Sequence, residues 1–371
     1  MVLRKEFFAL VLFAEIVTLT GCAEPEAPKP YQWNLPENFP EPIVPTDNPM
    51  SEAKVRLGKK LFYDKQLSFN QAMSCGTCHI QSLGFAESKT VAVGSTGQSH
   101  RRNTQPLLNV AYNSNLTWAH SGLTQLEQQI LLPMFGEEPI ELGITGHEEE
   151  VLERFDRGDY PELFEGAFPG EPITFNNVVK ALASFVRSMV SFNSDFDRYA
   201  YQGDDNALSE SQIRGMNLFF SERFECFHCH GGFNFTQSSK HEQQQLDLKP
   251  FHNTGLYNED GEGAYPDIDQ GLIEISRRDK DMGRFRAPTL RNVTVTAPYM
   301  HDGSIETLAD VIDFYAKGGR REGISSPLKN AFIKGIDMTD EERQDLLNFL
   351  ESLTDETFNT DPQFAGFGTS H

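Results

Sequence analysis

Cys75-Gly76-Thr77-Cys78-His79 and Cys226-Phe227-His228-Cys229-His230 decide how this chain is read. Both are C-x-x-C-H, the attachment pattern of c-type haem. Two thiols add across the vinyl groups on one edge of the porphyrin. The histidine that follows supplies an axial nitrogen to the iron. One such match could be a redox dithiol or half of a zinc site. An exported protein could also close the pairs as disulfides. Here the two pairs use four of the five cysteines, and both are followed at once by histidine. Two c-type haems are the expected cofactors, attached through Cys75, Cys78, Cys226 and Cys229. His79 and His230 are the expected iron ligands.

Working outward, Gly58-Lys59-Lys60-Leu61-Phe62 precedes the first motif and Gly215-Met216-Asn217-Leu218-Phe219 the second. This weak repeat predicts a helix leading by a short loop into each haem site. Ser209-x-x-Gln212 is a capping-box start for the second of these helices. Thr174 can cap a further helix, in which Val178, Val179, Leu182, Phe185, Val186, Met189 and Val190 recur at helical spacing. Thr339-x-x-Glu342 opens another, with Leu346, Leu347, Leu350 and Leu353 on its face. Convincing alternating strands are rare. The expected fold is mostly α: two cytochrome c-like helical domains with long loops, residues 51–205 and 206–355, one haem each. Residues 356–371 read as a disordered tail.

At the other end, Arg4 and Lys5 precede an apolar run from Phe7 to Thr18 and then Leu19-Thr20-Gly21-Cys22. Residues 1–22 read as a secretory signal. Its last four residues resemble a lipobox, which would lipidate Cys22 and anchor the protein to the outer membrane. Glu6 and Glu15 interrupt the run, so a plain cleaved signal with an incidental cysteine is the other reading. Both place the protein in the periplasm. Residues 23–50, with Pro25, Pro28, Pro30, Pro36, Pro40, Pro42, Pro45 and Pro49, read as an extended Pro/Glu-rich tether. A formal charge of −22 argues against nucleic acid as a partner. The 29 phenylalanines suit a large flat apolar cofactor.

Further markers follow in order. They are Arg102-Asn103-Thr104-x-Pro106-x-x-Asn109; Trp118; Leu126-Glu127-Gln128-Gln129; Pro139-Ile140-Glu141-Leu142-Gly143; Arg286-x-Pro288-Thr289-Leu290-Arg291-Asn292-Val293; and Pro298-Tyr299-Met300-His301-Asp302-Gly303. Together with the two haem motifs they resemble the bacterial di-haem cytochrome c peroxidase and MauG superfamily, over residues 50 to 355. Gly94-Ser95-Thr96-Gly97, Trp118-Ala119-His120-Ser121 and Pro-x-Glu-Leu-Gly are most similar to its methanobactin-associated MbnH branch.

The resemblance implies that peroxide reacts at the first haem. Peroxidases of the family often carry a removable distal histidine at the position of Ser95, so this haem is expected to be open. His100 could swing in, or serve as a loop residue or hydrogen-bond partner. Glu141 matches the distal acid that moves protons on peroxide; the alternative is a solvated acidic loop with Glu137 and Glu138. Pro133 would line the peroxide pocket. Trp118 would carry charge between the haems, or be a plain core aromatic. Asn103, Thr296 and Pro298 match a calcium position; oxygen donors of this kind suit Ca²⁺.

Tyr315 falls where the peroxidases have methionine and MauG-type enzymes have tyrosine. Leu308, Val311, Ile312 and Tyr315 also share one helical face, so a core tyrosine is the competing reading. A phenol oxygen is a harder ligand than a thioether and favours oxidised iron. With Tyr315 bound, hydrogen peroxide would leave a high-valent state shared by both haems. That state would oxidise a residue, tryptophan to kynurenine, on an MbnP-like copper-binding periplasmic protein. The first alternative is a cytochrome c peroxidase fed by a small cytochrome c, with Met282 or Met300 as conceivable ligands. The second is a lipid-anchored electron carrier with two inert haems.

Overall fold

The computed structural model describes residues 27–37, 39–241 and 250–367. The expected signal and Cys22 lie outside the described residues. The helices are α1 (Glu52–Tyr63), α2 (Cys75–Cys78), α3 (Leu126–Phe135), α4 (Glu148–Glu153), α5 (Tyr160–Ala167), α6 (Phe175–Ser188) and α7 (Asp195–Tyr201). They continue with α8 (Glu210–Phe219), α9 (Phe227–His230), α10 (Ile273–Ser276), α11 (Leu308–Ala316), α12 (Asp340–Glu351) and α13 (Glu356–Thr360). Two short strands, β1 (Phe251–His252) and β2 (Phe285–Arg286), pair antiparallel with Phe251 opposite Arg286. No helix among the described residues is long and apolar enough to cross a membrane.

The repeat seen in the sequence has a packing cause. α1 crosses α6, and α8 crosses α12. At each crossing a glycine lets the backbones meet. A Cβ on Gly58 would lie 2.0 Å from Ala181 O, and one on Gly215 would lie 1.9 Å from Asp345 O. The helices begin where the sequence signals them. Thr174 accepts from Asn177 N at the start of α6. Ser209 with Gln212 caps α8, and Thr339 with Glu342 caps α12. Each cap satisfies N–H groups that the first turn leaves free.

Two apolar cores follow. The first gathers Leu57, Leu61, Phe62, Phe85, Leu182 and Phe185. The second gathers Phe219, Phe235, Ile312, Leu346, Phe349 and Leu353. Buried ion pairs hold the frame. Arg187 binds Glu127 between α6 and α3 at 2.8 Å. Arg291 grips Asp197 with two bonds of 2.8 Å.

Two expectations need correction. The tail expected to be disordered folds over residues 356–367: α13 forms, and Phe358 and Phe364 are buried in the first core. Tyr63 donates its phenol hydrogen to Phe364 O, which fixes the return. The tether is extended over its described residues but not free. Asn48 is fully buried against Glu127 and Lys180 O. Phe39 packs on Phe192, Tyr201 and Phe233. In both segments a few aromatic or amide anchors on the body outweigh the cost of ordering the chain.

Gly58→Ala and Gly215→Ala are each expected to destabilise the protein by about 1–3 kcal/mol through overpacking. An unstrained helical glycine would instead gain about 1 kcal/mol on becoming alanine. Guanidinium unfolding of the variants distinguishes the two signs.

Candidate functional site

α2 carries the first cysteine pair, started by a bond from Ser74 N to Thr77 Oγ1. His79 follows it. Its Nδ1 lies 2.6 Å from Phe85 O, so that nitrogen donates and Nε2 keeps a free lone pair. Burial lowers its pKa and keeps the ring neutral, as a metal ligand must be. Glu141 lies within electrostatic reach of both Cys75 and Cys78. Desolvation pushes its carboxyl up to about 7, although 37% of the side chain remains exposed. The loop 94–100 clamps this segment: Ser95 N binds Glu141 O, and Gln98 Oε1 accepts from Ile140 N. His100 Nε2 stands 3.7 Å from Glu141 Oε1. Pro133, in the last turn of α3, accepts from Leu142 N beside the same glutamate.

The second pair repeats the device. His230 Nδ1 lies 3.0 Å from Pro288 O and 3.3 Å from Phe235 O. Burial lowers its pKa to about 4. Cys226, Cys229 and His230 line a cleft with about 1440 Å³ of empty space, part of it open to solvent. α11 also lines it, through Leu308, Val311, Ile312 and Tyr315. Trp118, Met300 and Met338 line it too, whereas Met282 does not.

Trp118 donates its indole N–H to Asn103 O at 2.8 Å. Asn103 Nδ2 donates to the carbonyls of Lys89 and Thr90, so its Oδ1 remains available. The carbonyls of Thr296 and Pro298 accept no hydrogen bond among the described residues. Asn103 reaches the neighbouring loop through a bond from its N–H to His301 O, not through Thr296 or Pro298.

No disulfide joins Cys75, Cys78, Cys226 or Cys229. Burial pushes Cys75, Cys78 and Cys226 up to about 12 and Cys229 to about 11. A redox dithiol needs the opposite shift. Among the described residues the metal-sized group of acidic and histidine side chains is Glu222–Glu225–His228, which contains no cysteine. No metal-sized ligand group that includes a motif cysteine is present among the described residues.

Haem fits the second cleft on an independent observation that the sequence did not flag. Arg286 is 4% exposed and lines the cleft. Its Nε donates to Thr117 O and its Nη2 to Gln105 Oε1, but Nη1 is buried without a partner. No carboxylate among the described residues pairs with the charge, and desolvation pulls its pKa down to about 10. A buried unpaired guanidinium is costly. A haem propionate would supply the missing anion, and the mainly apolar walls suit the ring. In the holoprotein, Arg286→Gln is expected to lower the reduction potential of the second haem, because a nearby cation disfavours the ferric state. Cys226 and Cys229 keep the haem attached, so spectroelectrochemical titration reads the shift directly. An unchanged potential would remove Arg286 from the site.

The chain is similar to known proteins of one family. The family description di-haem cytochrome c peroxidase, CCP_MauG, matches residues 52–206. The chain is 35% identical over 344 residues to the cytochrome-c peroxidase IdrP1 of Pseudomonas sp. (strain SCT), covering 88% of each protein. It is 34% identical over 326 residues to the methylamine utilization protein MauG of Methylorubrum extorquens, covering 87% of this chain and 83% of that one. It is also similar to the crystal structure of a MauG-like protein associated with microbial copper homeostasis. That match has 45% identity and a TM-score of 0.88, and it covers 90% of this chain and 99% of the other. With two C-x-x-C-H sites of matching build, the chain belongs to the di-haem cytochrome c peroxidase and MauG family, oxidoreductases that act with hydrogen peroxide.

Proposed function

We propose that the protein is a peroxide-dependent oxidase of MauG and MbnH type that oxidises a residue on a partner protein. The observation that carries this reading is Tyr315, which shares the second cleft with Cys226, Cys229 and His230. Its phenol oxygen would be the second ligand of that iron. The haems, once attached, cleave peroxide and store its oxidising equivalents. His79 and His230 hold the irons through Nε2. The Glu141 carboxyl takes the proton from peroxide and returns it to the departing oxygen. A pKa of about 7 suits both halves of that task. Pro133 helps shape the pocket around it. Trp118 carries charge between the two sites. Calcium would use Asn103 Oδ1 with the carbonyls of Thr296 and Pro298.

The target is tryptophan, converted to kynurenine, on an MbnP-like copper-binding protein of the periplasm. Likeness to a MauG-like protein associated with microbial copper homeostasis supports that class of partner. Export and a lipid anchor through Cys22 would place the enzyme on the same side of the inner membrane. A second reading, a cytochrome c peroxidase fed by a small cytochrome c, is favoured by Met300 and Met338, which also line the cleft.

Two variants test these roles. Glu141→Gln is expected to keep both haems but slow peroxide cleavage by about 100-fold. The wild-type rate should rise with pH through about 7, as the carboxylate forms, while the variant stays flat. Stopped-flow mixing with peroxide measures both effects; equal rates would exclude Glu141. Tyr315→Met is expected to change the low-spin haem spectrum and to raise turnover with reduced cytochrome c. An unaltered spectrum would show that Tyr315 does not bind iron and would favour the peroxidase reading.

A further inference from the structure

A row of aromatic rings leads from the second cleft toward the surface. Phe285 lines the cleft together with Tyr315 and Trp118. Tyr265 lies 5.9 Å from Phe285 and packs in the same cluster as Tyr315. Tyr257 lies 5.4 Å from Tyr265, edge to face. Tyr265 and Phe285 are buried, whereas Tyr257 is half-buried beneath the Arg320 guanidinium, 5.1 Å from its ring.

The hydroxyls of these tyrosines differ. Tyr265 donates to Asn253 Oδ1 at 3.2 Å, and Tyr299 in the same cluster donates to Val293 O. Tyr257 alone in this cluster donates to a carboxylate, Asp302 Oδ2, at 2.5 Å. Asp302 is held by Ser304 N–H on its other oxygen. A phenol loses its proton when it loses an electron, because the radical cation is a strong acid. A fixed carboxylate on the hydroxyl gives that proton a place to go. An amide or a backbone carbonyl does not.

We propose that Tyr257 is the exit point for oxidising equivalents, with Asp302 as its proton acceptor and Tyr265 as the packed ring across which the electron tunnels to the second site without Tyr265 itself being oxidised. This rests on the oxidase reading above. Tyr257 gives one electron inward past Tyr265, and that electron, with a proton from solvent that the oxidised partner residue later replaces, goes to the reduction of hydrogen peroxide to water. Its phenol proton moves to Asp302 Oδ2. The result is a neutral tyrosyl radical beside a protonated carboxylic acid. A partner protein presenting an oxidisable indole or phenol next to Tyr257 returns one electron, and Asp302 returns the proton. Two such cycles deliver the two equivalents of one peroxide. Arg320 and Ser304, joined at 2.8 Å, hold the ring and loop at this exit.

The test mixes the haem-loaded protein with hydrogen peroxide, without any partner, and freezes it for electron paramagnetic resonance while optical spectra follow both haems. The wild type is expected to give a tyrosyl signal. Tyr257→Phe should reduce it at least tenfold. Asp302→Asn, which keeps the phenol but removes the acceptor, should reduce it too. A signal of unchanged size in Tyr257→Phe overturns the proposal. So does the absence of a tyrosyl signal in wild type while the spectra show oxidised haems. A pair that merely fastened two loops would leave the radical unaltered. If the spectra show that peroxide never oxidises the second haem, the oxidase reading fails and this inference falls with it; the optical record identifies that case.

Discussion

Two imidazoles, His79 and His230, are each held at Nδ1 by a backbone carbonyl, and the rest of the site is arranged around that constraint. The bond fixes the tautomer, turns each ring, and leaves Nε2 as the atom available to iron. At the first site that carbonyl belongs to Phe85; at the second, Phe235 O at 3.3 Å stands beside the nearer Pro288 O at 3.0 Å. Phe85 and Phe235 both adopt positive φ, 60° and 49°, in the turn that follows each motif. A bulky residue in that region costs about 1–3 kcal/mol. The same cost is met in both halves by full burial of the phenylalanine ring in its core. The strain therefore marks a turn that must return a carbonyl to the histidine.

Two like frames then acquire unlike surroundings. Around the first, loops supply the opposing groups: the segment holding Glu141 is strapped by residues 94–100, with Ser95 and His100 against it. Around the second, a helix supplies them, and α11 presents Tyr315 to the cleft. A carboxyl that can exchange protons suits the reaction of a small diffusing oxidant. A phenol facing a mainly apolar cleft suits storage of charge. The bridge between them is short in chain terms: Asn103, Gln105, Thr117 and Trp118 connect directly to one another or to Arg286.

What could be read in the sequence was local. The haem motifs, the caps at Thr174, Ser209 and Thr339, and the glycine-marked repeat each depend on residues a few positions apart, and the mostly α fold follows from them. What escaped depends on distant partners. Phe358 and Phe364 follow no helical or strand period that marks burial, so only the first core reveals why residues 356–367 fold. Asn48 and Phe39 sit in a proline-rich run whose anchors lie 79 residues away or more. Arg286 stands in a visible motif, but its missing anion shows only once its neighbours are known. Glu141 and Tyr315 were singled out through resemblance. Their placement beside the first and second cysteine pairs is long-range geometry that no local pattern encodes.

The central claim is that a phenol oxygen occupies the sixth position of the second iron. A crystal structure of the haem-loaded ferric protein tests it most directly. The account predicts the Tyr315 hydroxyl oxygen at bonding distance from that iron, opposite His230. The Met300 or Met338 sulfur in that place, or an open position, would contradict it.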